Sequence, residues 1–308
     1  MSGFHARTAR QLPVASADAV NVLVVGDAHF ESPGFPWSTR LAICAADLSR
    51  MIGRAAIHAA VQVGDSTTQA LPVEFDAYKA WAATISLPVP LRTIPGNHDL
   101  IGNNSSGTPD LMTPAQWAAT MGQPAKDTVV DVGDRVRLLL ISPAADATTG
   151  QAKVRRLTVD AATIAWLDAR IGETTRQCLV FFHAPLASTV GPLDGTAFSS
   201  YDERWRAHHD SGAGITDLIA RHPNVVAWVS GHTHSRVDEV DVVKRVTHGS
   251  TTFAAVSAGS PAFWNPSAGP LIDPIITCVV TVLPYRVEVR YRDCGAHQWL
   301  APVHTVLL

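Results

Sequence analysis

The chain has 308 residues, of which 46% are hydrophobic and 17% charged, with a formal net charge of −3. That balance excludes a disordered chain, and the length is enough for one large domain or two small ones with a substantial core. The slight negative charge offers no extended basic track for nucleic acid or anionic membrane, so a phosphate-bearing ligand must be attracted locally.

Residues 1–20 are polar and patternless and read as an N-terminal arm, without the apolar run of a secretory signal. A strand is predicted at 21–25, a helix at 39–58, a strand at 59–63, a helix at 73–85 and a strand at 89–94. A polar loop at 102–110 leads to a short helix around 113–120, then to strands near 128–132 and 135–141 joined by Gly133-Asp134, a common hairpin pair. Residues 158–171 read as a helix with Thr158 as N-cap. A strand at 177–182, a polar insert at 187–211, a helix at 214–221 and a strand at 225–229 follow. Strand candidates at 238–243, 252–258, 275–283 and 286–292 have no helix between them, which predicts an antiparallel region.

The expected fold class is therefore α/β: two sheets of mixed strands packed together, with helices outside. Residues 21–308 are expected to form a single domain, with 187–211 as a substrate-rim insert. The strand-rich part, 236–308, has three roles open to it: completing the second sheet, covering the pocket, or pairing two copies into a homodimer. Cys44, Cys178, Cys278 and Cys294 are scattered, with no CxxC. Cys178 and Cys278 sit in apolar strand-like runs, which predicts buried free thiols and a reducing, cytoplasmic compartment. No stretch approaches the ~20 apolar residues of a membrane span.

Five predicted strands end in polar motifs: GDAH (26–29), GD (64–65), GNHD (96–99), HAP (183–185) and GHTH (231–234). Ligand sites in open α/β sheets lie beyond the carboxyl ends of strands, so these loops are expected to face one crevice. Glycines before four of them let the backbone turn sharply or approach closely, and Gly231 is expected to bend the strand end between His232 and His234. The loops deliver Asp27, His29, Asp65, Asn97, His98, Asp99, His183, His232 and His234. Carboxylate, imidazole and amide donors without thiolate suit Mn, Fe or Zn, and their number suits two ions. Each residue alone has a bland reading as a turn or cap residue. Nine of them at five strand ends do not.

In this order, D-x-H, GD, GNHD, a lone strand-end His and GHxH resemble the calcineurin-like metallophosphoesterases, over residues 22–234. The resemblance implies one metal on Asp27, His29 and His234, a second on Asn97, His183 and His232, and Asp65 bridging both. It implies His98 as general acid toward the leaving oxygen, with Asp99 orienting its imidazole or favouring its charge, and a metal-bridging hydroxide as nucleophile.

The second motif reads GDSTTQA, without the Asp-Arg-Gly of the protein Ser/Thr phosphatase branch. Other members often carry an acid or amide past GD, where this chain has Ser66, Thr67 and Thr68. Residues 150–171, ending AWLDARI, resemble a helix of the small bacterial members, including class III cyclic-nucleotide phosphodiesterases. The expected activity is hydrolysis of a small phosphodiester. Phosphomonoesterase or nucleotidase action on the same site is one alternative, and a non-catalytic protein-binding scaffold is another. Trp37, Trp205, Arg204, Arg206, Arg236, His208 and His209 are further groups that could reach a substrate, although surface or packing roles are the commoner fate. His58 and His222 are expected at helix ends, and His5, His297 and His304 in solvent.

Overall fold

The computed structural model describes residues 16–31, 38–52, 56–100, 112–123, 127–143, 157, 159–186, 189, 212–234, 237, 242–262 and 274–308. The amino-terminal half runs β1 (Val20–Val25), α1 (Ser38–Ile52), β2 (Ala59–Gln62), α2 (Pro72–Thr84), β3 (Leu91–Thr93), α3 (Asn97–Leu100), α4 (Pro114–Met121), β4 (Thr128–Val132) and β5 (Val136–Leu140). Then come α5 (Ala161–Gly172), β6 (Gln177–Phe181), α6 (Gly212–Arg221), β7 (Val225–Ser230), β8 (Val243–His248) and β9 (Thr251–Ser257). The chain closes with β10 (Ile276–Leu283), β11 (Arg286–Asp293), β12 (Gln298–Trp299) and β13 (His304–Leu307).

The strands form two sheets, ordered β12-β11-β10-β1-β2-β3, with β13 also on β11, and β4-β5-β6-β7-β9-β8. Successive side chains of a strand point to opposite faces, and that alternation separates the cores. Val22, Val24, Val61, Cys278 and Val280 of the first sheet meet Leu138, Phe181, Val229 and Val256 of the second. The opposite faces bury Leu23 and Val279 under Leu41, Cys44, Leu48 and Phe75 of α1 and α2, and Val180 and Trp228 under Leu167, Ile215 and Ile219 of α5 and α6. The result is a four-layer αββα sandwich.

Local chemistry sets the element ends. Pro72 opens α2, and the Glu74 carboxylate accepts from the N–H groups of Gln69 and Leu71. In α5 the N-cap is Asp160, whose Oδ1 accepts from Thr163 N at 2.7 Å; the cap predicted at Thr158 lies outside the described residues. The described part of the first helix runs to Ile52, and at residues 56–58 the chain is not helical, so the helix does not reach His58. His58 instead pairs with the end of β1: its N–H donates to Asn21 O and its Nδ1 accepts from Asn21 N.

The carboxy-terminal strands complete both sheets. β10 lies antiparallel to β1, while β9 runs parallel to β7 and antiparallel to β8. The antiparallel prediction therefore holds for neighbours in sequence and fails at β9, whose place beside β7 is set by a long-range pairing. Cys44, Cys178, Cys278 and Cys294 are all buried free thiols. Among the described residues, no helix is long and apolar enough to cross a membrane.

Candidate metal centre

β1, β2 and β3 are parallel in one sheet, and β6 and β7 are parallel in the other. Their carboxyl ends carry the five motifs, so the two sheets meet at one edge with polar residues from both. His183 Nε2, from the second sheet, lies 3.8 Å from Asp27 Oδ1 of the first.

The turns that follow the strands are strained at the polar residues themselves. His29 (φ 45°), Asp65 (φ 52°), His232 (φ 67°) and His234 (φ 47°) all occupy the left-handed region. Such conformations cost about 1–3 kcal/mol each and persist where the surroundings over-determine them. The bend between the paired histidines is thus made by His232 and His234, not by Gly231. What Gly231 provides is room, since a Cβ there would lie 2.6 Å from Asp27 Oδ2. Gly64, at φ 95°, needs both its freedom and its missing side chain, since a Cβ would lie 2.5 Å from His183 Nδ1.

The donors converge in two groups that share one carboxylate. The ligand atoms of Asp27, His29, Asp65 and His234 all lie within 4.8 Å of one another, as do those of Asp65, His183 and His232. In the first group His29 Nε2 and His234 Nε2 are 3.0 Å apart, with His234 Nε2 at 3.4 Å from Asp27 Oδ1 and His29 Nε2 at 3.5 Å from Asp65 Oδ2. Donors that each sit ~2.1 Å from one ion are separated by roughly 3–3.5 Å, so these spacings suit a common cation. The same Asp65 Oδ2 lies 3.2 Å from His183 Nε2. One oxygen therefore faces both groups, while Oδ1 accepts the His98 N–H at 2.9 Å.

Two buried atoms test whether metals fit. Asn97 Oδ1 and His183 Nε2 have no hydrogen-bond partner, a costly state for buried polar atoms that a cation at each would relieve. His183 Nε2 is near Asp65 but not in hydrogen-bonding geometry. Its Nδ1 donates to Val63 O at 2.7 Å, so in the neutral ring the lone pair sits on Nε2. Around Asp27, the His232 N–H donates to both carboxylate oxygens, at 2.9 and 3.1 Å, and Ser260 Oγ donates to the main-chain oxygen at 2.7 Å. The residues present fit two cations.

Electrostatics agree with that fit. Burial drives His29 and His232 down to about 3, so both are neutral imidazoles with lone pairs to give. Burial also opposes charge on His183, but Asp65 and Asp27 outweigh it and raise that imidazole to about 9. Asp65 is pushed up by burial yet held well below the usual carboxylate range by the imidazoles of His183 and His98. The two buried carboxylates thus draw positive charge into this space from whatever is near.

His98 and Asp99 follow in the one-turn helix α3. The His98 ring stands edge-on to His29, centroids 4.8 Å apart. Its Nδ1 lies 2.8 Å from Thr68 O; a carbonyl only accepts, so Nδ1 carries a hydrogen and Nε2 is the atom left to exchange a proton. Asp99, expected to orient this imidazole or favour its charge, makes its hydrogen bonds with other groups. Asp99 accepts instead from Ser66 N, Thr67 N, Thr67 Oγ1 and Gly96 N. Burial, then the neighbouring Asp65, raises its carboxyl to about 7. Thr68 escaped the sequence reading because a backbone carbonyl leaves no side-chain signature.

The other candidates lie apart or outside the described residues. His222 follows α6 and bonds Asp168, and His297 is exposed, as expected, while its ring pairs with Asp47. His304 stands edge-on to Tyr291. His5, Trp37, Arg204, Trp205, Arg206, His208, His209 and Arg236, with almost all of the 187–211 insert, fall outside the described residues.

Residues 20–236 match the family model described as calcineurin-like phosphoesterase. Among curated proteins none matches. Solved structures do. A dimetal phosphatase from Danio rerio superposes with a TM-score of 0.62 at 11% identity, covering 94% of this chain and 98% of its own. GAP50, the anchor in the inner membrane complex of Plasmodium, superposes with a TM-score of 0.56 at 12% identity, covering 94% and 89%. At such identities the likeness is one of fold.

Proposed function

The chain belongs to the calcineurin-like phosphoesterase family and is a metal-dependent phosphoester hydrolase; within that class we propose that it cleaves small phosphodiesters with two cations bound at the shared edge of its sheets. In this reading Asp27, His29 and His234 would hold one cation and Asn97, His183 and His232 the other, with Asp65 common to the two groups. The carrying observation is the pair of donor groups joined through Asp65, together with the buried, unpartnered Asn97 Oδ1 and His183 Nε2.

When bound, two cations of the Mn, Fe or Zn type polarise the phosphoryl oxygens and make water nucleophilic near neutral pH. The chain's own residues do the rest. The Val63 carbonyl keeps the His183 proton on Nδ1, and the His98 main chain keeps Asp65 Oδ1 occupied so that Oδ2 is the oxygen presented. Asn97 contributes a neutral oxygen, adding no negative charge where a phosphate docks. His98, held at Nδ1 by Thr68 O, gives a proton from Nε2 to the leaving oxygen.

Preference for a diester over a monoester rests on the resemblance of residues 150–171 to the small bacterial phosphodiesterases, and a cytoplasmic setting on the four buried thiols. GAP50 illustrates that this fold also serves as an anchor, but a scaffold has no need of strained, converging donors. With Mn²⁺ the purified chain is expected to hydrolyse bis-p-nitrophenyl phosphate faster than p-nitrophenyl phosphate, and to stop when the metal is chelated. Equal turnover after exhaustive chelation overturns the metal reading. A strong preference for the monoester overturns the diesterase reading alone.

A further inference from the structure

Asp99 sits beside the proposed proton donor in sequence yet spends its carboxylate elsewhere. It is completely buried, and its four hydrogen bonds all come from donors of two loops. Oδ1 accepts from the Thr67 N–H at 2.9 Å and the Thr67 hydroxyl at 3.0 Å. Oδ2 accepts from the Ser66 N–H at 3.1 Å and the Gly96 N–H at 2.9 Å. One carboxylate therefore ties the loop after β2 to the loop after β3.

The tied loop leads straight back to His98. Thr68, next to the doubly held Thr67, donates its N–H to Phe30 O at 2.9 Å and its hydroxyl to His29 O at 3.2 Å. Its own carbonyl takes the His98 Nδ1 hydrogen at 2.8 Å. The circuit runs from Asp99 through Thr67 and Thr68 to the imidazole of Asp99's own neighbour. We propose that Asp99 is a positioning residue for His98, fixing the ring's orientation and its Nδ1–H tautomer at one remove, through the carbonyl of Thr68.

The alternative is that Asp99 merely holds the fold. The two differ in what an isosteric change does. Asp99→Asn keeps the volume but presents an NH₂ group to two of the four donors, so one half of the tie is lost. If only packing mattered, all substrates would suffer alike. If the ring is freed, reactions that need a proton on the leaving oxygen suffer most, because a general acid contributes about 10²–10⁴-fold and misplacing it forfeits part of that.

The inference rests on the reading of His98 as proton donor, so the experiment has an arm that needs no turnover. In metal-free, full-length chain labelled with ¹⁵N-histidine, the His98 signals, assigned by their loss in His98→Gln, are expected to show the Nδ1–H tautomer. In Asp99→Asn they are expected to shift toward a mixture with Nε2–H. In the metal-loaded chain, Asp99→Asn is expected to lose about tenfold more kcat on a phenyl phosphodiester than on its p-nitrophenyl counterpart, whose leaving group needs little protonation. If no ester is cleaved at all, the hydrolase reading fails and the tautomer measurement still decides the positioning. Unchanged His98 signals, or equal losses on both esters, overturn the proposal. Should Asp99→Asn fail to fold, Thr67→Val removes a single donor, and the same spectral shift with a two- to threefold leaving-group effect is expected; a wild-type pattern there overturns it too.

Discussion

Gly231→Ala isolates steric crowding from backbone strain, because Gly231 is not among the glycines with positive φ. The added Cβ would lie 2.6 Å from Asp27 Oδ2 and 3.2 Å from Val63 Cγ2, whereas ordinary contact begins at 3.4 Å. The Asp27 carboxylate must then retreat by about 0.8 Å. It is pinned by the His232 N–H at 2.9 and 3.1 Å, and metal geometry tolerates about 0.2 Å. Disturbing groups that orient ligands typically lowers affinity about 10–100-fold, or about 1.4–2.7 kcal/mol, and overpacking costs about 1–3 kcal/mol of stability. Competition with a fluorescent chelator reads the affinity, and thermal unfolding reads the stability. Gly214→Ala, in α6, is the control: its Cβ meets only Ile164 Cδ1 at 3.4 Å. Wild-type affinity in Gly231→Ala, with the fold intact, would refute the claim that this glycine exists to admit the Asp27 carboxylate.

His98→Ala is expected to keep its full metal content and lose about 10²–10⁴-fold in kcat on an ester with a poor leaving group; undiminished turnover removes His98 from the mechanism. Away from the centre, the nearly inaccessible Asp47 carboxylate bonds Arg292 at 2.7 and 2.9 Å and His297 at 2.8 Å. Burial raises its pKa, but these partners outweigh burial and hold it below the ordinary value. A depressed pKa stabilises the fold above the unfolded value near 4 and loses that contribution as pH falls through the folded one. Asp47→Asn should therefore lower stability by about 1–3 kcal/mol at pH 7, with the gap to wild type closing in acid; a gap that is constant with pH contradicts this ion pairing. Tyr291→Phe removes the hydroxyl that bonds the buried carbonyls of Ser257 at 2.6 Å and Val242 at 3.1 Å, leaving Val242 O with the Ser257 N–H, and is expected to cost about 1–3 kcal/mol in a denaturant titration.

Much of the fold could be read from the sequence because its signals are local. Val22 and Val24 alternate with Leu23 and Val25, and Leu41, Cys44, Leu48 and Met51 recur at helical spacing, so β1 and α1 declare themselves. The candidate donors were legible for a related reason: each follows an apolar strand, so type and position could be read together. What stayed hidden depends on long-range contact. Nothing in the run of β9 says that it lies beside β7, and nothing in β10 says that it returns to β1. The charged alternation of β8 hid a strand whose partner is β9. His58 looked like the end of a helix because its bonds to Asn21 cross 37 residues. Within the centre, sequence proximity misled twice: Gly231 beside the paired histidines is not their hinge, and Asp99 beside His98 accepts its hydrogen bonds from Ser66, Thr67 and Gly96.

The shared carboxylate is the point on which two cations and one chain most directly meet. Elemental analysis of the chain reconstituted with Mn²⁺ and dialysed should find two equivalents per chain in the wild type and well under one in Asp65→Asn. One equivalent in the wild type, unaffected by Asp65→Asn, would contradict a pair of sites joined through that side chain.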